Sequence, residues 1–402
     1  MPDPTDIHIG ARIASRRKLA GYTQRQLAEH AHLSLGAIRK VERAERAPTP
    51  SLLAGVARAL HVTVEDLTGQ PYRLQPQDDR IHAPITEVRA ALRHWDLPAD
   101  WFDTPRPLAR LRTDVQAAME HRVHGHLTRL GSVLPALIEE LTASVHLHSG
   151  AEQRQAARLL ALAYDMAHTF TYRLGYPDLR GQVEDRLRWA ARLSGDPVLV
   201  ALAEYKRAET FKSAHEYGAG LRVLRAAREQ LEDDGPGQGS AYLTVVGGIR
   251  LREVTLASRD RDEQATAHHL EEARRVLGQL PAPADRRRHS VVFGAGNLAI
   301  HEIQARLELR QVSEADKVIQ GTRLPESVPP TRVSAYHINV ARVHVEADRR
   351  EQALLHLQKA RRAAPQITRY KPMARDAALL LTMKYRRTTE ELRSLSTWFG
   401  LE

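Results

Sequence analysis

Arg39, Lys40 and Arg43 stand close together near the end of the stretch TQRQLAEHAHLSLGAIRKVER, which runs from Thr23 to Arg43. Their chemistry is donation: a guanidinium offers a planar fork of N–H groups and an ammonium three rotatable ones, so both suit phosphate oxygens and the acceptor edge of a base. The plain alternative is a solvated helix face. Asn297 and Asn339 are the only asparagines of the chain. An asparagine amide donates and accepts, and so can pair with a peptide backbone in both directions. His121, His124, His126, His146 and His148 gather in one region. His121 and His124 share a helix face, but no carboxylate or thiolate stands at matching spacing, and no metal site is expected. The run DRRRHS around Arg286–Arg288 reads as charged surface loop, with an anionic ligand or a DNA flank as the alternative. Nothing points to catalysis or to a cofactor. There is no Gly-rich phosphate loop, no His-Glu-x-x-His and no Gly-x-Ser-x-Gly elbow. GAGNLAI at Gly294 is not read as a dinucleotide motif, because no strand or βαβ unit is expected before it.

These groups need elements to hold them, and composition bounds what those elements are. The chain has 402 residues, 42% hydrophobic and 27% charged, enough for two or three ordinary globular cores. It has no cysteine, which removes disulfides, zinc–thiolate sites and thiol catalysis together. No apolar run approaches the roughly 20 residues of a membrane span. The N-terminus MPDPTDIHIGARIASRRK lacks a signal-peptide apolar region, so a cytoplasmic location away from membranes is expected. A formal charge of +10 and a pI near 9.9 permit an anionic partner such as nucleic acid.

Hydrophobic spacing predicts five short helices over residues 9–68. Leu27, Ala28 and Ala31 recur at helical intervals, as do Ile38 and Val41 after the break at HLS. Thr23 and Ser34 stand where a side-chain oxygen can cap the two helices. This region resembles a Cro/CI-type (XRE) helix-turn-helix domain at Gln24, Ala28, Leu33, Ile38, Val41 and Glu42 and through RAPTPSLLAGVARAL. The resemblance implies that the helix after the turn lies in the major groove of double-stranded DNA. By position, Ser34, Leu35, Gly36, Arg39 and Lys40 then face the bases: Lys40 suits guanine O6/N7 and Leu35 a thymine methyl. Gln24, Arg43 and Arg46 are expected on phosphates. Two residues depart from the family pattern: His32 and Ala44 stand where glycine is usual.

Residues 71–110 read as a linker holding one short helix, ITEVRAALRHWDL, because TGQPYRLQPQDDRIHAP is rich in breakers. From residue 111 to 402 nearly everything reads as helix, with openings expected near Arg112, Arg154, Val198, Ser240, His289, Thr331 and Met373. Helical pairs recurring at this spacing bury little alone and must stack. They resemble a degenerate tetratricopeptide-type superhelix, so the expected fold is all-α: a five-helix bundle over residues 1–70, then an α-solenoid of helical hairpins. The whole chain resembles actinobacterial regulators that join an XRE domain to such a region. It is similar in architecture to quorum-sensing peptide-pheromone receptors, and this implies a homodimer on an inverted repeat. Asn297 and Asn339, each about eight residues into its expected repeat, are then placed on the inner face as contacts for a peptide or small-molecule effector. Gly248, beside Gly247, is expected to open space for it. Inner-face hydrogen bonding and close helix packing are the simpler readings of these residues. A scaffold that binds a protein partner constitutively is the alternative function.

Overall fold

The computed structural model describes residues 8–72, 76–97, 104–233, 239–281, 285–384 and 389–401. Its N-terminal bundle consists of α1 (Ile9–Leu19), α2 (Gln24–His30), α3 (Leu35–Glu42), α4 (Pro50–Ala59) and α5 (Val64–Thr68). Four of the starts are written in the sequence. Thr23, Ser34, Thr49 and Thr63 each accept a bond from the backbone N–H of Gln26, Ala37, Leu52 and Asp66 respectively, satisfying donors that the first helical turn leaves open. Ile13, Leu27, Ile38, Leu52, Val56 and Leu67 close the core. His32 at φ 53 and Ala44 at φ 56 both hold left-handed backbone. The chain therefore keeps the geometry that the family meets with glycine, without the glycine.

The segment expected to be a linker is packed structure. α6 (Pro76–His82) and α7 (Ile85–Arg93) follow the bundle, and Ile81, Val88, Ala91 and Leu92 join the largest apolar cluster of the molecule. Asp78 and His82 of this segment are partnered inside, while Asp79 and Arg80 stay exposed. Tyr370 donates to Asp78 at 2.5 Å, and His82 Nδ1 lies 2.9 Å from the Tyr176 hydroxyl. Residues 73–75 and 98–103 of that segment lie outside the described residues.

Helical hairpins follow in series: α8 (Leu108–His124) with α9 (Leu127–Leu147), α10 (Gly150–Leu174) with α11 (Pro177–Ser194), α12 (Pro197–Ser213) with α13 (Tyr217–Asp233), and α14 (Ser240–Asp260) with α15 (Glu263–Gly278). After a two-stranded antiparallel hairpin, β1 (Arg286–Arg288) and β2 (Val291–Phe293), come α16 (Ala295–Glu308) with α17 (Val312–Gly321) and α18 (Pro330–Glu346) with α19 (Arg350–Ala363). Then α20 (Pro365–Arg369), α21 (Pro372–Lys384) and α22 (Glu390–Phe399) complete the chain. The helices expected to open near Arg112, Arg154, Val198, Ser240, Thr331 and Met373 do so within four residues. The opening expected at His289 is overturned. The hairpin occupies that place and α16 starts at Ala295.

The first helix of each hairpin packs on the first helix of the next, from α8 through α10, α12, α14 and α16 to α18. The row then closes, because α8 also touches α18. Across the closure the Gln366 amide donates to Thr128 Oγ1 at 2.9 Å, and Thr128 N donates back to Gln366 Oε1 at 3.1 Å. The result is a ring whose inner wall is made of first helices.

The β-hairpin fills the space that Gly247 and Gly248 leave on α14. A Cβ on Gly247 would fall 2.3–2.4 Å from the Phe293 ring, and one on Gly248 would fall 2.1 Å from Val291 Cγ1. Both neighbours are fully buried and have nowhere to go. Gly247→Ala is expected to lower the unfolding free energy by about 1–3 kcal/mol, overpacking outweighing better helix propensity. Gly181→Ala on α11, where nothing lies within 4 Å, is expected to raise it by about 1 kcal/mol. Urea denaturation of the two variants beside the parent measures both signs.

Candidate nucleic-acid interface and internal cavity

The exposed face of the N-terminal bundle is built on α3. Ser34, Gly36, Arg39, Lys40 and Arg43 are exposed and Leu35 is half-buried, while Ile38 and Val41 on the opposite side are buried in the core. The side chains expected at bases therefore share one solvent-facing side. Gly36 is not required by the backbone: it is helical, and nothing lies within 4 Å of where its Cβ would be. A bare spot of this kind lets a partner surface approach α3 closely.

Glu42, at the end of α3, fixes the pitch of this face. Its carboxylate accepts from Arg17 Nε at 2.8 Å, from Arg17 Nη2 at 3.1 Å and from Gln24 Nε2 at 2.7 Å. Arg17 also donates from Nη1 to the Tyr22 carbonyl at 2.7 Å. One carboxylate thus ties α1, the start of α2 and the end of α3 together. Both partners of the ion pair are nearly buried, and breaking such a pair by removing one side costs about 3–5 kcal/mol. Gln24 spends one amide hydrogen on Glu42 and keeps the second for another acceptor.

Arg46 departs from expectation. It turns away from this face, its Nε 3.6 Å from Glu346 Oε2, and Arg310 reaches the same carboxylate at 3.4 Å. The expected phosphate contact is here a tie between the bundle and the end of α18. Other ties join the same two parts. Ser51 donates to Glu308 Oε2 at 3.0 Å, Arg180 donates to Glu65 Oε1 at 2.5 Å, and the Gln70 amide donates to the Arg173 carbonyl at 3.2 Å. Residues 51–57 of α4 are all buried. The bundle is seated on the ring by the side opposite its exposed α3 face, and shares an apolar cluster with α18, α19, α21 and α22.

Beneath that seat lies a cavity in the centre of the ring, of about 160 Å³. Eight arginine and lysine side chains line it against one carboxylate, Glu209. They come from the inner faces of α8, α10, α12, α14 and α18 and from Lys371 just before α21. A second void of about 110 Å³ sits between it and the bundle and shares Tyr172, Arg173, Lys212, Arg259 and Lys371 with it. Pro50, Leu53 and Ala54 of α4, with Val64, Glu65 and Thr68 of α5, form its roof.

Four of the cations have carboxylate partners. Lys206 lies 2.9 Å from Asp165, Lys212 and Arg252 share Glu209, and Arg259 lies 3.6 Å from Glu308. Arg122, Arg173, Arg332 and Lys371 have none within ion-pair distance among the described residues. Arg332 leans instead on neutral acceptors, Asn297 Oδ1 at 2.9 Å and His301 Nε2 at 3.3 Å. Burial, then the repulsion of Arg173, Lys212, Arg332 and Arg259, pushes the Lys371 ammonium well below its ordinary range. The Lys212 ammonium, backed by Arg173, Arg180 and Arg259, pulls the Tyr172 phenol down to about 7 against the opposing effect of burial. The direction of the shift reports a positive potential around Tyr172.

The residues expected to hold a ligand separate. Asn339 lines the cavity, with its amide 3.4 Å from the Ile300 carbonyl. Asn297 is only 3% exposed and stands in the first turn of α16. Its side chain donates to the Val292 carbonyl at 2.7 Å and accepts from Arg332, and its backbone N–H donates to Asp285. The two asparagines do not stack in register, because the hairpin delays the start of α16. Gly248 faces Val291 and opens no space for a ligand. The histidine group divides: His126 lies beside His121 and His124, with ring centroids 6.1 and 5.8 Å away, while His146 turns to the Trp95 carbonyl and His148 to that of Ser144. Arg287 pairs with Glu120 at 2.7 Å from strand β1, and GAGNLAI does follow a strand, though one of an antiparallel hairpin rather than a βαβ unit. Seven of the cavity cations sit on first helices and Lys371 just before α21, and nothing in their local spacing distinguishes them from surface charge. Their only signal is a lysine or arginine between small and apolar residues, as in AEYKRAETFKS over residues 203–213.

No helix among the described residues is long and apolar enough to cross a membrane. No curated protein and no solved structure matches the chain. Residues 13–67 match the family model described as Helix-turn-helix, so the N-terminal bundle, with α3 exposed and α4 turned to the ring, is an XRE-type helix-turn-helix module of the DNA-binding kind.

Proposed function

We propose that this chain is a sequence-specific transcription regulator, active as a homodimer on an inverted repeat, whose helical ring senses a compact effector. One observation carries the reading: the helix-turn-helix module leaves its α3 face free while its opposite side roofs an internal cavity. A scaffold for a protein partner has no use for a cationic cavity at the centre of the ring. The regulator reading also leaves no work for a catalytic group.

On DNA, Lys40 and Arg39 point from α3 toward bases and Arg43 toward the backbone. Gly36 admits close approach, and Gln24 offers its free amide hydrogen to a phosphate. A single module of this size covers one half-site, and pairing two of them supplies the affinity that regulation needs. An effector acts through linkage: it shifts the seating of the module only by the difference of its affinities for the two seatings.

Lys40→Ala is expected to weaken binding to an operator obtained by in vitro selection by about 1–3 kcal/mol, and to leave binding to scrambled duplex nearly unchanged. Anisotropy titrations on both duplexes decide this. Equal losses reassign Lys40 to a phosphate, and a parent protein that selects no sequence overturns the reading. Light scattering at micromolar concentration is expected to give the mass of two chains, with protection of two half-sites in a footprint. A single chain both free and on DNA removes the dimer from the proposal.

A further inference from the structure

Resting on that reading, we propose that the central cavity is a binding site for a phosphorylated metabolite carrying at least two phosphoryl groups. Eight arginine and lysine side chains converge on a void of about 160 Å³ in the middle of the ring, and four of them have no ion-pair partner among the described residues. Like charges brought together in a confined space repel, and the four unpaired cations, each half-buried, cost free energy in the empty protein. Folding does not require them, since replacing charges inside a protein by apolar residues of similar volume is often neutral or stabilising. An anion of several charges turns the repulsion into attraction, and it bonds well to a wall of guanidinium forks and ammonium groups.

The composition of the wall narrows the class. Arg122 on α8, Arg173 on α10, Arg332 on α18 and Lys371 approach from separate sides of the ring. A single carboxylate cannot answer donors spread around a void, whereas linked phosphoryl groups present oxygens in several directions. Tyr172 and Tyr205 also line the wall, Tyr205 lying under the Arg252 guanidinium at 4.3 Å.

The site also explains how occupancy reaches the DNA-binding module. Tyr172, Arg173, Lys212, Arg259 and Lys371 face both the cavity and the void under α4 and α5. Glu308 holds Arg259 of the cavity wall with one oxygen and Ser51 of α4 with the other. An anion that recruits Arg259 therefore acts on a carboxylate that fastens the module to the ring.

The test uses the full-length protein at constant ionic strength. Calorimetric titration and thermal melts are run with inorganic triphosphate, with ATP, and with citrate and sulfate as other anions. The parent, Lys371→Gln, Arg173→Gln and the exposed-surface control Arg112→Gln are compared. Triphosphate or ATP is expected to bind the parent and Arg112→Gln and to raise their melting temperature, while citrate and sulfate do much less. Lys371→Gln and Arg173→Gln are expected to bind roughly tenfold to hundredfold more weakly, the loss of one charge-assisted hydrogen bond. Without ligand both are expected to melt no lower than the parent, because each removes a half-buried side chain that has no ion-pair partner and is repelled by its neighbours. ATP binding more tightly than triphosphate assigns the metabolite to the nucleotides; the reverse assigns it to simple polyphosphates. The inference is overturned if neither phosphate binds the parent, if all four anions act alike, or if Arg112→Gln loses as much as the cavity variants. Operator binding is measured on the same preparations. Intact operator binding with no phosphate effect overturns the ligand site and leaves the regulator standing. Phosphate binding by a protein that selects no DNA sequence does the opposite.

Discussion

Ring closure is the constraint on which the rest of this structure depends. A row of helical hairpins that stayed open would present its first helices to solvent, and their lysines and arginines would be ordinary surface charges. Here α8 meets α18, and the bonds between Thr128 and Gln366 join the two ends of the row. Once the row closes, the inner faces of the first helices have a common centre, and whatever they carry is gathered there. Apolar side chains would have filled that centre. This chain brings cations, so the centre stays open and charged.

The β-hairpin and the two glycines of α14 show how closely the closure is fitted. Val291 and Phe293 enter where Gly247 and Gly248 leave no side chain. Asp285 accepts from the backbone N–H groups of Gly296 and Asn297, capping α16 from outside its own sequence neighbourhood. The hairpin turn brings Ser290 to the cavity wall, where its carbonyl accepts from Arg122 at 3.4 Å. A short irregular insertion thus sets the spacing of two hairpins and supplies part of the inner wall.

The helix-turn-helix module closes the ring from above through polar ties and a shared apolar cluster. Ser51, Glu65, Gln70 and Arg46 all reach across to the ring, and α4 is buried along most of its length. The module is therefore rigid on two scores. Glu42 holds α1, α2 and α3 to one another, and the seat holds the whole bundle to the cavity roof.

The sequence by itself determined the local structure. Hydroxyl caps at Thr23, Ser34, Thr49 and Thr63 and the spacing of Leu27, Ile38 and Val41 made the five-helix bundle legible, and with it the exposed row Arg39, Lys40 and Arg43. Breaks at Gly125, Gly175 and Gly195, all in left-handed backbone, marked the helix ends of the ring. These signals act over a few residues, so they survive in the one-dimensional pattern. What depends on distant segments meeting was decided only in three dimensions. The role of Arg46 rests on Glu346, 300 residues away, and the burial of Asp78 and His82 on Arg369, Tyr370 and Tyr176. The duties of Asn297 and Gly248 were set by a hairpin that helical periodicity does not foresee. The cavity is the clearest case. A lysine on one helix and an arginine on another look like solubilising charge until closure turns them toward each other, because the sign of an electrostatic interaction is fixed by residue type but its strength by distance and burial.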